Sequence, residues 1–343
     1  MLYEKLDRRL VRCDLCAHQC KIASSALGFC NVRQNIEGQL FTLAYAQAIA
    51  ADIDPIEKKP LYHFLPGSRS YSIATMGCNF RCGFCQNWQI SQISREDGPV
   101  LPGYELLPEE VVENAKRHDC QSISYTYTEP TIFFEYAYDT ARLARANGLY
   151  NVFVTNGYMT RQALETIEPY LDAANVDLKS FSEAYYEGTC KARLQPVLDS
   201  AIYMKRLNIW VEVTTLLIPS LNDSDDNLQG IAGFIAQELG MDTPWHISRF
   251  YPVREFGHLP QTPMESLVKA RDIGLRAGLR YVYIGNVRGG NDGADTCCYD
   301  CGAVVLRRRS AALVENRSTG GRCYRCGAQL DGVGLAECGA ATQ

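Results

Sequence analysis

The chain has 343 residues, 46% of them hydrophobic and 21% charged, with a formal net charge of −5. That length supports a main core of barrel or doubly wound size with smaller appendages, and the acidic balance argues against a dedicated nucleic-acid binder. No stretch nears the ~18 uninterrupted apolar residues that cross a bilayer, and MLYEKLDRRLVRC at the start has charges with no apolar run behind them, so no secretory signal, no membrane and a cytoplasmic location are expected.

Residues 1–67 form a Cys-rich segment. It carries Cys13, Cys16 and Cys20 in CDLCAHQC, then Cys30, and ends in PIEKKPLYHFLPG, whose prolines and lysines read as a connecting loop. Residues 68–286 change character. YSIAT (71–75), SISYT (122–126), YNVFVT (150–155), ANVDL (174–178), WVEVTTLLI (210–218), WHISRF (245–250) and YVYIG (281–285) are rich in β-branched and aromatic residues and read as strands. Between them lie helix candidates. PEEVVENAKRH (108–118) opens on proline and two acids, which suit a helix N-terminus; 131–148 closes on Gly148 and 224–240 on Gly240. Alternating β and α segments imply parallel strands with right-handed crossovers. Residues 287–343 begin with the glycine-rich VRGGNDG and hold the last cysteine group.

Fifteen cysteines in a chain without a signal peptide point away from disulfides, because cytosolic thiols stay reduced. They also cluster: only Cys120, Cys190 and Cys338 stand alone. This is metal usage. At the C-terminus, Cys298 and Cys301 two residues apart, then Cys323 and Cys326 two apart, have the spacing of a zinc ribbon; Cys297 competes with Cys298 but lacks the two-residue gap. Arg307 to Arg309 in this ribbon read as a solvated hairpin face, with an RNA or acidic partner as the rival reading. The N-terminal four accept zinc or an auxiliary four-iron cluster. Zinc is the preferred expectation, since metal would stabilise a segment too short for its own core; His18 is a substitute ligand.

The loop MGCNFRCGFCQNW sets Cys78, Cys82 and Cys85 directly after the first strand of the β/α region, where functional loops leave such folds. Three thiols do not close a structural zinc site, but they hold a four-iron cluster with one iron open to a ligand. The C-x3-C-x2-C spacing with Phe84 before the third cysteine resembles the cluster loop of the radical S-adenosylmethionine (SAM) enzymes. The resemblance implies a partial (β/α)6-type TIM barrel of the radical SAM kind, a [4Fe-4S] cluster on Cys78, Cys82 and Cys85, and reductive cleavage of SAM to a 5′-deoxyadenosyl radical that abstracts hydrogen from a substrate. It further implies SAM contacts from Asn87, from Glu129 in TYTEPT (where Tyr127 and Thr128 replace two glycines), from Thr155 and Asn156 in VTNGY, from Asp177 and Lys179 in VDLKSF, and from His246. TTLLIPSLND (214–223) resembles an adenine-contacting motif.

Over nearly its whole length the chain resembles the radical SAM enzyme of the AmmeMemoRadiSam system, which implies Memo-like and AMMECR-type partners and an electron donor such as flavodoxin or ferredoxin. A related reading is a glycyl-radical-enzyme activase of the pyruvate formate-lyase type. Only Cys120 lies between Cys85 and the second strand, so no ferredoxin-like insert sits there, unlike the activases that carry extra clusters. The reading from another class is a non-catalytic zinc module whose ribbon arginines grip RNA.

Overall fold

The computed structural model describes residues 1–92, 102–287 and 292–336. Most of VRGGNDG (residues 288–291), Cys338 and the remainder of 337–343 lie outside the described residues.

All seven segments read as strands are strands. They are β1 (Arg69–Thr75), β2 (Ser122–Tyr125), β3 (Tyr150–Thr155), β4 (Ala173–Asp177), β5 (Trp210–Leu217), β6 (Trp245–Arg249) and β7 (Val282–Gly285). Each pairs in parallel with the next, in chain order. The main crossovers are α1 (Pro108–Arg117), α2 (Phe134–Ala146), α3 (Arg161–Ile167), α4 (Gln195–Arg206), α5 (Asp225–Phe234) and α6 (Met264–Arg276). Six βα units and a closing strand therefore make an open partial barrel. Strand Gln47–Pro55 adds antiparallel to β1 on the side away from β7, and the short strand Tyr104–Glu105 pairs outside it at the edge.

The crossovers cover the sheet, so the strands read as continuous apolar runs; β1 is buried from Ser70 to Thr75. Local signals set the helix starts. Glu110 accepts from the Leu107 N–H at 2.7 Å, Thr160 accepts from Ala163 N–H, and Ser224 from Asn227 N–H. The helix expected from residue 131 starts instead at Phe134, because Pro130–Phe133 form a 3-10 turn capped by the Glu129 carboxylate. No helix among the described residues is long and apolar enough to cross a membrane.

Both flanks dock on this sheet. The first contributes a small antiparallel sheet (Tyr3–Lys5, Val11–Cys13, Lys21–Ile22) and a hairpin (Arg33–Ile36, Gln39–Thr42). The last forms a three-stranded antiparallel sheet, Thr296–Cys297, Val304–Arg309 and Ala312–Asn316. PIEKKPLYHFLPG connects the first flank to β1, and it is a buried connection: Ile56, Glu57, Lys59, Leu61, Tyr62, His63 and Phe64 are all buried. One expectation is corrected here. The ribbon arginines do not form one solvated or RNA-facing surface. Arg308 is 1% exposed, donates to the Tyr62 carbonyl at 2.7 Å and to Thr296, and stands 3.6 Å from the buried Glu57 carboxylate. Arg307 and Arg309 pair with Asp295, and Arg307 also with Glu315. Charge in those stretches marks a buried ion pair between the two flanks.

His63 completes that junction. Its Nδ1 lies 2.6 Å from the Asp331 carbonyl and its Nε2 2.6 Å from the Tyr283 hydroxyl. Burial pulls its pKa down to about 4, so the folded chain keeps the ring neutral while the unfolded chain protonates near 6.5. The stabilisation is thus present above pH 6.5 and is lost as pH falls toward 4. Thermal unfolding should show a falling midpoint already between pH 6.5 and 5, with a shallower slope in a His63→Asn variant; equal slopes would show that His63 is not the group responsible.

Candidate radical SAM site

The Cys78–Cys82–Cys85 loop leaves the C-terminal end of β1, and its shape is held from outside. Asn79's carbonyl meets His18 Nε2 at 2.7 Å, the Arg81 N–H donates to the Cys190 carbonyl at 2.9 Å, and Arg81's guanidinium donates to the carbonyls of Cys78, Phe80 and Phe29. Gly77 has φ +104°, and a Cβ there would meet the Cys30 carbonyl oxygen at 3.0 Å. Only glycine combines that backbone with so close an approach. The one-turn helix Trp88–Ser91 follows, and Ser91 Oγ sits 3.2 Å from Cys85 Sγ.

Glu129 links the neighbouring strand ends. It is 1% exposed, and its two oxygens accept from the Thr131 N–H (3.1 Å) and hydroxyl (2.5 Å), the Thr155 hydroxyl (2.7 Å) and the Asn156 N–H (2.8 Å). Burial raises its pKa, against those donors. Asn156 then donates to Asn79 Oδ1 at 2.7 Å and lies 3.9 Å from Cys78 Sγ. Asp177, the last residue of β4, holds Lys179 Nζ at 3.1 Å. Burial opposes the charge on Lys179, and Asp177, ahead of the Cys82 and Cys190 sulfurs, pushes its pKa up.

The expected residues Glu129, Thr155, Asn156, Asp177 and Lys179 thus lie at strand ends around the cysteine loop, and Asn87 within that loop at the start of the helix Trp88–Ser91. His246 does not join them. It is the second residue of β6, about 10 Å short of that strand's C-terminal end, with its Nε2 2.6 Å from Glu212 and its ring against Tyr62 and Tyr283. Its place is the junction with the flanks, a structural one, and the expectation of a SAM contact is corrected.

Three features escaped sequence reading. Cys190 does not stand alone: its thiol lies against that of Cys82, whose pKa it raises together with burial. Asn222 donates to the Lys179 and Leu216 carbonyls at 2.7 and 2.9 Å, tying β5 to the Asp177–Lys179 segment. The third is a clamp on Tyr127. This residue has φ +61°, a backbone suited to glycine. Its hydroxyl donates to Asp54, Lys59 Nζ lies 4.5 Å over its ring, and its carbonyl accepts from Asn87 at 2.7 Å. At Tyr127, side chains therefore enforce the backbone that a glycine there would have allowed.

The residues present fit an iron–sulfur cluster with a polar ligand. Asn79 Nδ2 beside Cys78 and the Tyr185 hydroxyl beside Cys82 and Cys190 are buried without a hydrogen-bond partner among the described residues. Buried polar atoms are nearly always paired, so this wall has donors to spare for such a group. At the other end of the chain, Cys298 and Cys326 sulfurs are 3.6 Å apart and those of Cys301 and Cys323 3.7 Å, all four within 4.8 Å of one another. Matching turns present each pair: Gly302 N–H donates to the Cys298 carbonyl, and Gly327 N–H to that of Cys323.

A partial β/α barrel that displays three cysteines after its first strand, ringed by polar strand ends, defines a class of cluster-dependent barrel enzymes. Residues 72–230 match the Radical SAM superfamily profile. The chain is 45% identical over 333 residues to an uncharacterized protein of Methanocaldococcus jannaschii, covering 96% of this chain and 98% of that one. It is 25% identical over 224 residues to a putative glycyl-radical enzyme activating enzyme of the same organism (64% and 80% covered). To pyruvate formate-lyase 1-activating enzyme of Escherichia coli it is 21% identical over 166 residues (46% and 65%). Among solved structures, a radical SAM methyltransferase from Sphaerobacter thermophilus shares the fold with a TM-score of 0.51 at 16% identity, covering 66% of this chain and 68% of that one. The chain belongs to the radical SAM superfamily and is an enzyme of that kind, related to glycyl-radical activating enzymes.

The Tyr127 clamp is open to a stability test. Asp54 is 4% exposed and, despite burial, hydrogen bonds from Lys58, Lys59 and Tyr127 hold its pKa below the usual carboxylate range. Asp54→Asn leaves Lys59 buried without its charge partner and should cost about 3–5 kcal/mol. Tyr127→Phe removes a single hydrogen bond and should cost about 1–2 kcal/mol. Denaturant unfolding of both variants checks the order; a reversed order would mean that the ion pair is not what anchors the loop.

Proposed function

We propose that this chain cleaves SAM reductively and passes the radical to a substrate that a partner protein delivers or contains. The observation that carries the reading is the thiol loop itself, three cysteines after β1 with the Asn79–Asn156–Glu129 chain on one side and Lys179 on the other. A [4Fe-4S] cluster held there by Cys78, Cys82 and Cys85 would supply the single electron that reductive cleavage of SAM needs. The chain's own residues do the positioning. Cys78, Cys82 and Cys85 hold the iron; the Tyr127 carbonyl and Asn87 receive polar groups at one rim; Asp177 and Lys179 present an acid and an amine at the other. Glu129 acts through Thr155 and Asn156, whose orientation it fixes.

For the substrate, the similarity to activating enzymes favours a backbone glycine of a partner protein over a free small molecule. Memo-like or AMMECR-type proteins are the candidates for that partner, and flavodoxin or ferredoxin for the electron donor. The C-terminal thiols we read as a zinc site, because tetrahedral zinc with bonds of about 2.3 Å sets its sulfurs roughly 3.8 Å apart, close to the spacing found. The Arg325 N–H donates to Cys323 Sγ at 3.4 Å, a contact that favours the thiolate a metal needs.

Anaerobic protein reconstituted with iron and sulfide, given SAM and dithionite, should release 5′-deoxyadenosine, and Cys82→Ala should lower the yield at least a hundredfold. An intact iron–sulfur spectrum with no product from the wild-type chain would refute the cleavage reading. Independently, the isolated chain should hold about one zinc ion, and a chelator should lower its unfolding midpoint; a Cys323→Ser/Cys326→Ser variant that keeps the zinc would place the ion elsewhere.

A further inference from the structure

The N-terminal thiols form a second centre. Cys13 ends the strand Val11–Cys13, and its N–H donates to the Cys20 carbonyl at 3.0 Å, so the Val11–Cys13 and Lys21–Ile22 pairing holds both at one place. Cys16 lies in the intervening turn, where the Gln19 N–H donates to its carbonyl and its own backbone bridges to Met159. Cys30 arrives from the following loop. Cys13 is buried in the main core, and Cys16, Cys20 and Cys30 all pack against it; burial raises the pKa of Cys13, Cys16 and Cys30, with neighbouring thiols of the group adding to it.

Spacing separates the metals they suit. A single zinc ion draws four sulfurs to roughly 3.8 Å of each other, and the C-terminal four close within 4.8 Å. Among the described residues no other set of three or more such ligand atoms closes that far, neither the N-terminal four nor Cys78, Cys82 and Cys85. A four-iron cluster takes each thiolate on a different iron and needs the wider frame. The surroundings also suit a sulfur-rich anion. Arg33 is 3% exposed, sits beside Cys13 and Cys30, and has its Nε buried without a partner while its other nitrogens donate to Glu135 at 2.7 and 2.5 Å.

We propose that Cys13, Cys16, Cys20 and Cys30 hold a second four-iron cluster, packed directly behind the loop that carries the first. The wall between them is residues 77–81: the Cys30 carbonyl faces Gly77, His18 meets the Asn79 carbonyl, and Arg81 stacks 4.5 Å over Phe29. With four cysteines this second cluster has no open iron, so it does not bind SAM; its chemistry is electron storage and the bracing of the 77–81 loop. This proposal uses the reading of the Cys78 loop only for its location.

Iron, sulfide and zinc are counted per chain on full-length protein reconstituted anaerobically. Wild type should hold about eight irons, and Cys78→Ala/Cys82→Ala/Cys85→Ala about four, with the resonance of a reduced four-iron cluster on adding dithionite. Cys16→Ala/Cys30→Ala should likewise fall to about four, with zinc unchanged; this second variant decides the matter if the first does not fold. An iron content that stays near four in wild type and in Cys16→Ala/Cys30→Ala alike, or two zinc ions per wild-type chain, would overturn the proposal. Iron retained by the triple variant, with no 5′-deoxyadenosine from wild type, would sink the SAM-cleavage reading and leave the second cluster standing.

Discussion

The site depends on one buried carboxylate. Glu129 takes four donors from Thr131, Thr155 and Asn156, and hydrogen bonds to a charged group are each worth roughly 1.5–3 kcal/mol net. Those bonds fix the ends of β2 and β3 relative to each other, and through Asn156 and Asn79 they reach the cysteine loop after β1. A parallel sheet supplies no contact of this kind on its own, because its ladder ends where the loops begin. Without the carboxylate, three strand ends would present their side chains to the cluster independently. The cost is desolvation, visible in the raised pKa of Glu129, and it is offset only because every donor is in place.

The flanks follow the same logic at larger scale. Neither the Cys-rich start nor the ribbon is long enough to bury a sizeable core of its own, and each docks through buried charge. Arg308 and Glu57 are both fully buried and join the ribbon to the segment after strand Gln47–Pro55. Arg33 and Glu135 join the N-terminal hairpin to α2. Such pairs add little net stability but punish every misdocked arrangement, in which a charge would be left alone in apolar surroundings. That gives the two cysteine-rich flanks a defined placement on the barrel.

The barrel was legible in the sequence because its strands are buried on both faces and read as β-branched runs with turn residues between. The strand ends were legible for the same reason: Asp177 and Thr155 terminate strands as expected. What could not be read was long-range charge pairing. Lys59 and Arg308 look like surface residues in any local window, since their partners Asp54 and Glu57 are recognisable only once the chain is folded. His246 failed for another reason. Depth along a strand depends on register with its neighbours, and one residue after the start of β6 is the wrong end. Cys190 was set aside as solitary because 105 residues of chain separate it from Cys85, whereas the turn Tyr186–Cys190 returns it to the loop.

Tyr127 shows how such a site tolerates departure from a glycine pattern. A non-glycine residue at φ +61° carries strain on the order of 1–3 kcal/mol, which persists only where surroundings over-determine it. Here Asp54 grips the hydroxyl and Lys59 covers the ring. Both come from the segment that also carries Glu57 and His63, the residues that seat the ribbon. The backbone carbonyl facing Asn87 at the cysteine loop and the docking of the C-terminal thiol domain therefore share one buried stretch, residues 54–63.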